Sequence, residues 1–386
     1  MDGRVSRKRT GAVKPFVAKK TTLTSKKHRW EPFSQRIARL KIDPIRRPRG
    51  RNIDETDLST TTSYFRTSLD KWMDLNLSED FDRFCKQVQP LCDSLPQIIY
   101  HETKIIDLLL EYIQKGTVVS AEPLLDLVSH FAHDLGARFE KYVARTVATV
   151  NQLAARNPDI EVIEWSFTCL AWLFKYLSKL LVPDLRPMYD LMAPLLGKEH
   201  QKLFVSRFTA EALSFLIRRA SVAYHQDKGP LQIIVKHILG DLCRSKDLRT
   251  LDLFKDGVMT LFAEAIKGVN GNLSPSGDMI FLELISCSLE INDVESSASM
   301  LIREILRGVL TSILHFTNSA TFKPVMDIVL KQMDQSKEMV HNSRVSVCMQ
   351  LITLAVTVKR GSRIEEWSSI LQSIAAAISQ ITTASA

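Results

Sequence analysis

Apolar residues recur at three- and four-residue steps along most of the chain beyond residue 59, and no stretch shows a convincing period of two. That spacing lines one face of an α-helix. It is clearest from Asp159 to Ala220. One row reads Ile163, Phe167, Leu170, Phe174, Leu177 and Leu181, and a second reads Trp165, Cys169, Trp172 and Tyr176. A helix apolar nearly all round must be covered on two sides, which makes Trp172 a core residue. The next pattern, Leu203 to Arg219, places Phe204, Phe208, Ala212 and Phe215 on one face. Arg207, Glu211, Ser214 and Arg218 form a stripe expected to face water. An inner helix followed by an outer one with a wet face is the unit of a helical repeat.

Similar patterns fill the rest. Tyr64, Phe65, Leu69, Trp72 and Met73 mark the first body helix, capped by Ser59 or a neighbouring Thr. Helices are predicted near 79–91, 95–115, 120–134, 136–156, 184–197, 199–224, 229–244, 247–268, 276–291, 298–316, 319–335, 343–358 and 363–380. Ser94-Leu95-Pro96-Gln97 has the arrangement of a capping box with Pro in the first turn. Asn157-Pro158-Asp159 and Val182-Pro183-Asp184 punctuate further starts. Phe167, Leu170, Trp172 and Leu173 are echoed by Ala210, Leu213, Phe215 and Leu216, each 43 positions later. Paired helices at roughly forty-residue intervals are in the HEAT and armadillo range. The expected fold is all-α: a HEAT/armadillo-like α-solenoid of stacked antiparallel helix pairs over residues 59–386, preferred to a compact bundle.

Charge changes the picture at the N-terminus. Residues 1–51 hold 17 Lys and Arg against three acids, leaving 34 basic and 40 acidic side chains in the remainder. Residues 1–27 lack apolar periodicity and are expected to be a disordered basic tail. Arg7, Lys8 and Arg9, then Lys19 and Lys20, then Lys26 and Lys27, are candidates for nuclear import or RNA contact. Residues 28–58 are read as a docking segment and linker. Trp30, Phe33, Ile37 and Leu40 share one face of a short helix, with Ser34 as N-cap and Asp43-Pro44 as its stop. Such a helix is marginal alone. It docks either on a partner or back on this chain's own body, and the residues do not choose between the two.

Composition adds few candidates for chemistry. The six cysteines, Cys85, Cys92, Cys169, Cys243, Cys287 and Cys348, are scattered without zinc or disulfide spacing and read as small core residues in a reducing compartment. The basic N-terminus lacks the apolar core of a secretory signal. The uncharged apolar run Trp165 to Phe174 is too short to span a bilayer. Gly268 to Gly271 lacks the Lys and Ser/Thr of a phosphate loop. His130 and His133 lie three apart on a helix without a third ligand at a telling distance, so they read as structural. Glu161 and Glu164, like Glu365 and Glu366, read as acids near helix starts. No catalytic, cofactor or metal site is expected.

Several long strings nevertheless resemble one family. They are His28 to Ile37 with Lys41 to Arg47, Asp57 to Phe65 (DLSTTTSYF), Leu91 to Gln97 (LCDSLPQ), Asp134 to Glu140 (DLGARFE), and the run from Val162 to Gly197. Together they resemble the N-terminal portion of the Down-regulated in metastasis family of U3 small nucleolar RNA-associated proteins, in a fungal-looking form. The resemblance implies a large non-catalytic HEAT-repeat scaffold of the small-subunit processome. That nucleolar assembly acts in 18S rRNA maturation and 40S subunit biogenesis. The implied partners are processome proteins, pre-rRNA and U3 snoRNA, without membrane, cofactor or small-molecule substrate. The competing reading from the residues is a HEAT-type adaptor in nuclear transport or phosphatase regulation. Family members are several-fold longer, and the low-charge helix Ile370 to Ile381 lacks the polar outer face of a capping repeat. A fragment or truncated gene is therefore expected.

Overall fold

The computed structural model describes residues 31–45, 63–197, 203–244, 248–268, 272–292, 297–335, 342–359 and 367–384. The chain divides into Met1–Glu31 and Pro32–Ala386, and the described helices lie in the second unit. In chain order they begin with α1 (Phe33–Arg39), α2 (Tyr64–Leu75), α3 (Glu79–Val88), α4 (Leu95–Tyr100), α5 (Glu102–Lys115) and α6 (Val118–Leu135). Next come α7 (Glu140–Arg156), α8 (Ile160–Leu181), α9 (Arg186–Met192), α10 (Leu203–Ala223), α11 (Gly229–Arg244) and α12 (Leu248–Ile266). The series continues through α13 (Gly277–Asn292), α14 (Ser297–Phe316), α15 (Ser319–Gln335), α16 (Asn342–Val358) and α17 (Trp367–Ala384). Among the described residues the nearest thing to a sheet is one isolated bridge, Lys267 to Leu273.

The helices build an all-α solenoid of two layers. Each helix of the first layer packs on the next: α2, α6, α8, α10, α12, α14, α16. The second layer runs α3, α5, α7, α9, α11, α13, α15, α17, and the layers meet through pairs such as α5 with α6 and α7 with α8. From α6 onward the first-layer helices begin at Val118, Ile160, Leu203, Leu248, Ser297 and Asn342. The steps between those starts hold near the forty-residue HEAT period.

Sequence and structure part company over which helices form a pair. α8 and α10 are neighbours in one layer, and the 43-residue echo links equivalent positions of successive repeats. The second-layer helix between them is α9, seven residues long, with Pro187 in its first turn and Pro194 in the 3-10 turn that follows. The sequence places one helix near 184–197, and the structure divides that span into α9 and the 3-10 turn. The stripe expected to face water is covered at Glu211 and, completely, at Ser214, and half-buried at Arg218, whereas Arg207 stays exposed as expected. Trp172 is only half-buried, whereas Phe167 is wholly buried and stacks on Phe208 with centroids 3.7 Å apart and planes 6° apart.

Local signals hold with shifted details. α8 starts where Asp159 accepts the Glu161 N–H at 2.8 Å. The cap of α2 is Ser63, whose hydroxyl oxygen accepts the Arg66 N–H at 2.9 Å. At α4, Ser94 accepts the Gln97 N–H at 3.4 Å, but Gln97 Oε1 takes the Asp93 N–H at 3.0 Å, so the box closes one residue early. Predicted helix 95–115 is interrupted at His101.

The DLGARFE string is a structural junction. Asp134 accepts the Ser63 hydroxyl at 2.7 Å and the Tyr64 and Phe65 N–H groups, each at 2.9 Å, closing the start of α2 from across the fold. Gly136 ends α6 at φ +54°, a left-handed conformation that favours glycine. Arg138 reaches Glu102 at 3.1 Å and Phe139 is wholly buried.

Candidate docking face

The first layer carries an added piece, a strap formed by residues 32–45, which crosses α10 and then α8. Pro32, with φ near −60°, starts α1 at Phe33, so Ser34 falls inside the first turn and is not the N-cap. The capping acceptor comes from α10: Glu211 Oε2 takes the Phe33 N–H at 2.9 Å, and Arg207 Nε holds the other carboxylate oxygen at 2.9 Å. At the far end, Lys175 Nζ donates to the carbonyls of Ile37 at 2.9 Å and Leu40 at 2.6 Å. An anion at the helix start and a cation at its end both complement the helix dipole. A seven-residue helix is marginal alone in water, and here the body supplies both caps.

Packing reinforces the caps. Phe33 is 1% exposed, with its ring 5.3 Å from Phe208 and 5.4 Å from Phe215. Arg36, 5% exposed, pairs with Glu164, donates to Thr168 Oγ1 at 2.8 Å, and lies 5.9 Å over the Phe208 ring. Glu164 therefore serves the strap and is not an acid of the α8 start; Glu365 and Glu366 lie outside the described residues. Ile37 and Leu40 are half-buried. The Ile45 N–H donates to the Tyr176 carbonyl at 2.8 Å, tying the strap's end to α8. Of the two dockings open from sequence, this is contact with the chain's own body. Trp30 and the basic candidates Arg7, Lys8, Arg9, Lys19, Lys20, Lys26 and Lys27 lie outside the described residues.

Two recesses open on the same layer. One of about 640 Å³ lies among α10, α12 and α14 and includes Arg207, Glu211, Lys267 and His315. The other, about 340 Å³, lies between α2 and α6 and includes Tyr64, Lys71, Asp126 and His130. Asp126 accepts the Ser68 hydroxyl and the Trp72 Nε1–H, both at 2.7 Å. Burial alone would raise the Asp126 pKa, but hydrogen bonds from His130, Trp72 and Ser68 outweigh it and hold the carboxyl below its ordinary value. Burial alone would lower His130, yet its bond to Asp126 and that charge raise it. Ser68 donates to the carboxylate and not to an imidazole, so this trio lacks the hydroxyl–imidazole bond of a nucleophilic site. His133 stacks on Tyr176 with centroids 5.2 Å apart, and burial lowers its pKa.

Sequence reasoning missed two clusters because their members are far apart in the chain. Asp190, His237 and Asp241 bring ligand atoms within 4.8 Å of one another, with His237 Nε2 2.7 Å from Asp190. Arg244 engages Asp241 at 2.5 Å. Cys243 and Cys287 place their sulfurs 3.4 Å apart, and Cys243 is exposed, unlike the five buried thiols and contrary to the core reading.

This arrangement is that of a HEAT-like helical-repeat protein whose helix faces and recesses, joined by a self-docked strap, offer surface for binding. No protein-family profile matches the chain. It is 35% identical over 349 residues to U3 small nucleolar RNA-associated protein 20 of Schizosaccharomyces pombe. It is 32% identical over 355 residues to the protein of that name from Saccharomyces cerevisiae. The alignments take in 90% and 91% of this chain, which spans 13% of the length of each relative. The chain thus resembles a portion of U3 small nucleolar RNA-associated protein 20, in keeping with the strings quoted above.

Proposed function

We propose that this chain is a non-catalytic scaffold of the nucleolar small-subunit processome, acting in 18S rRNA maturation and 40S subunit biogenesis. The observation that carries the reading is its similarity, over nine-tenths of its length, to proteins named for association with U3 small nucleolar RNA. A two-layer solenoid is suited to the work, because each added repeat extends the surface without a new core. Among the described residues no helix is long and apolar enough to cross a membrane. Processome proteins are the first class of partner. Pre-rRNA and U3 snoRNA are the second, reached through phosphates by the Lys and Arg concentrated in residues 1–51.

Expression of the tagged chain, followed by gradient sedimentation of nuclear extract, tests this. Co-migration with pre-ribosomal particles and recovery of U3 snoRNA are expected. Recovery of import receptors or a phosphatase core without U3 snoRNA favours the adaptor reading and overturns this one. RNA affinity is expected to fall steeply with salt and to be largely lost when residues 1–51 are deleted. Salt-insensitive binding that survives the deletion excludes the phosphate-contact part.

A further inference from the structure

One edge of the solenoid carries apolar side chains that nothing in the fold requires there. Leu75 ends α2, Leu77 follows it, and Val118 and Val119 begin α6. Asn76 Nδ2 donates to the Val119 carbonyl at 2.7 Å, bringing these segments side by side. Leu77 is 87% exposed, Leu75 63% and Val119 62%. α8 joins the same edge: Ser129 meets Cys169 and the Tyr176 hydroxyl meets the His133 carbonyl, so α6 and α8 run in register from neighbouring starts. That register sets the exposed Ile160 beside the valines. Single exposed apolar residues are ordinary, but a contiguous group marks an interaction surface.

The patch has depth as well as area. A notch of about 480 Å³ opens among Tyr112, Gly116, Val118, Val119, Leu153 and Asn157, where α5 ends, α6 begins and α7 ends. Gly116 keeps this corner tight, since a Cβ there would meet the Tyr112 carbonyl oxygen at 2.5 Å and Ser120 Oγ at 2.7 Å.

The rim is acidic. Helix starts gather here, and with them Glu79, Asp80, Asp82, Glu122 and Glu161. Arg83 and Lys86 engage Glu79 and Asp82 within α3. Asp80 takes the Thr117 N–H at 3.2 Å. Glu122 has Lys71 near it, yet its pKa is raised, first by burial and then by the charges of Asp126 and Glu161. A rim in which carboxylates repel one another is repulsive to phosphate and attracts cations.

We propose that this edge docks an amphipathic, basic segment of a protein partner, its apolar side chains on Leu75, Leu77 and Val119 and its Lys or Arg side chains on Glu122 and Glu161. The notch receives the largest apolar side chain of that segment. An apolar centre within a charged rim is the usual anatomy of such interfaces. The assignment does not depend on membership of the processome and identifies a surface for protein, not RNA.

The test uses the full chain and a fluorescent helical peptide patterned from Leu and Lys. Two control peptides replace Lys by Glu or Leu by Ser, and a single-stranded RNA oligonucleotide is the third control. Binding is read by anisotropy and mapped by hydrogen exchange. The Leu/Lys peptide is expected to bind and to protect the segments around residues 74–80 and 116–122. Leu77→Ser with Val119→Ser, and separately Glu122→Lys with Glu161→Lys, should each weaken it by about tenfold or more. All four positions are exposed, so the thermal midpoint should stay within a few degrees, which keeps a loss of binding interpretable. Four results overturn the proposal: no binding, protection elsewhere, indifference to both variant pairs, or equal binding by any control.

Discussion

Phe33→Ala asks whether the strap is a separately stable piece seated on the solenoid. The ring is 1% exposed and sits between Phe208 and Phe215. Truncating a buried Phe costs about 3–5 kcal/mol when the site cannot collapse. Here the loss falls on docking of the strap, because α8 and α10 keep their contacts with α6, α7 and α12 whether or not α1 is present. The reporter is the Ile45 amide, which donates to the Tyr176 carbonyl twelve positions from the mutated residue. A loss of about 3 kcal/mol corresponds to roughly 150-fold faster native-state exchange at that amide, at ~1.4 kcal/mol per tenfold. The amides of Leu170 and Phe174, inside α8, should be unaffected. Lys175→Met, which removes only the cap on the Ile37 and Leu40 carbonyls, should accelerate Ile45 exchange by a smaller factor, consistent with about 1 kcal/mol. Unchanged Ile45 exchange in Phe33→Ala would refute the reasoning. So would equal acceleration at Ile45 and Leu170, since the strap would then open only with the whole fold.

Three further outcomes are expected. Asp134→Ala strips three hydrogen bonds from the start of α2 and should lower stability by about 2 kcal/mol in urea unfolding; a loss no larger than that of a neutral surface change would deny the junction its role. Phe167→Ala should cost about 3–5 kcal/mol, and Trp172→Ala less than half of that, because Trp172 is half-buried; equal losses would place both in the core. The Asp126–His130 pair sets a pH window. Asp126, its pKa lowered by folding, contributes above the unfolded carboxylate value of about 3.9 and loses that contribution as pH falls through its folded value. His130, its pKa raised, contributes fully below about 6.5 and loses that contribution as pH rises through its folded value. Stability from the pair should therefore peak between those limits. Asp126→Asn should flatten both arms of the urea-midpoint profile. His130→Gln should remove the alkaline arm and weaken the acid one, since His130 is foremost among the groups that lower Asp126. A profile that survives Asp126→Asn would exclude the pair as its source.

The long helices were legible because each states its period over several consecutive turns. What eluded the sequence was contact between distant polar groups. Glu211 sits on a stripe with Arg207, Ser214 and Arg218, and local pattern makes any such stripe a solvent face. It is buried because a backbone N–H 178 positions earlier needs an acceptor. Ser34 is a good N-cap by composition, but with Pro32 in the cap position the helix starts two residues sooner, and the acceptor comes from another helix. The α8–α10 pairing failed for a related reason. The helix expected near 184–197 is present as the short α9 with its 3-10 turn, and a local pattern does not tell that this piece, and not α10, fills the second layer beside α8. Cys243 and Cys287, 44 positions apart, meet because they occupy neighbouring second-layer helices. An echo between repeats can predict such meetings only once the layer of each helix is known.

The strap also constrains where partners can bind. Its helix depends on Glu211 and Lys175 for both ends and on Phe208 and Phe215 for its anchor, so it forms by occupying the first-layer surface of α8 and α10. A partner directed to that surface would have to displace Phe33 and leave the Arg36–Glu164 pair broken, with two charged groups losing their match. Binding at the two flanking recesses or at the loop edge around Leu77 requires no such exchange. Those surfaces also differ in charge: in the recess among α10, α12 and α14, Arg207, Lys267 and His315 share the lining with Glu211, Asp256 and Glu264, whereas carboxylates predominate at the edge near Glu122. The self-docked helix thus lies on α8 and α10 and leaves open the recess among α10, α12 and α14 on one side and the recess between α2 and α6 on the other.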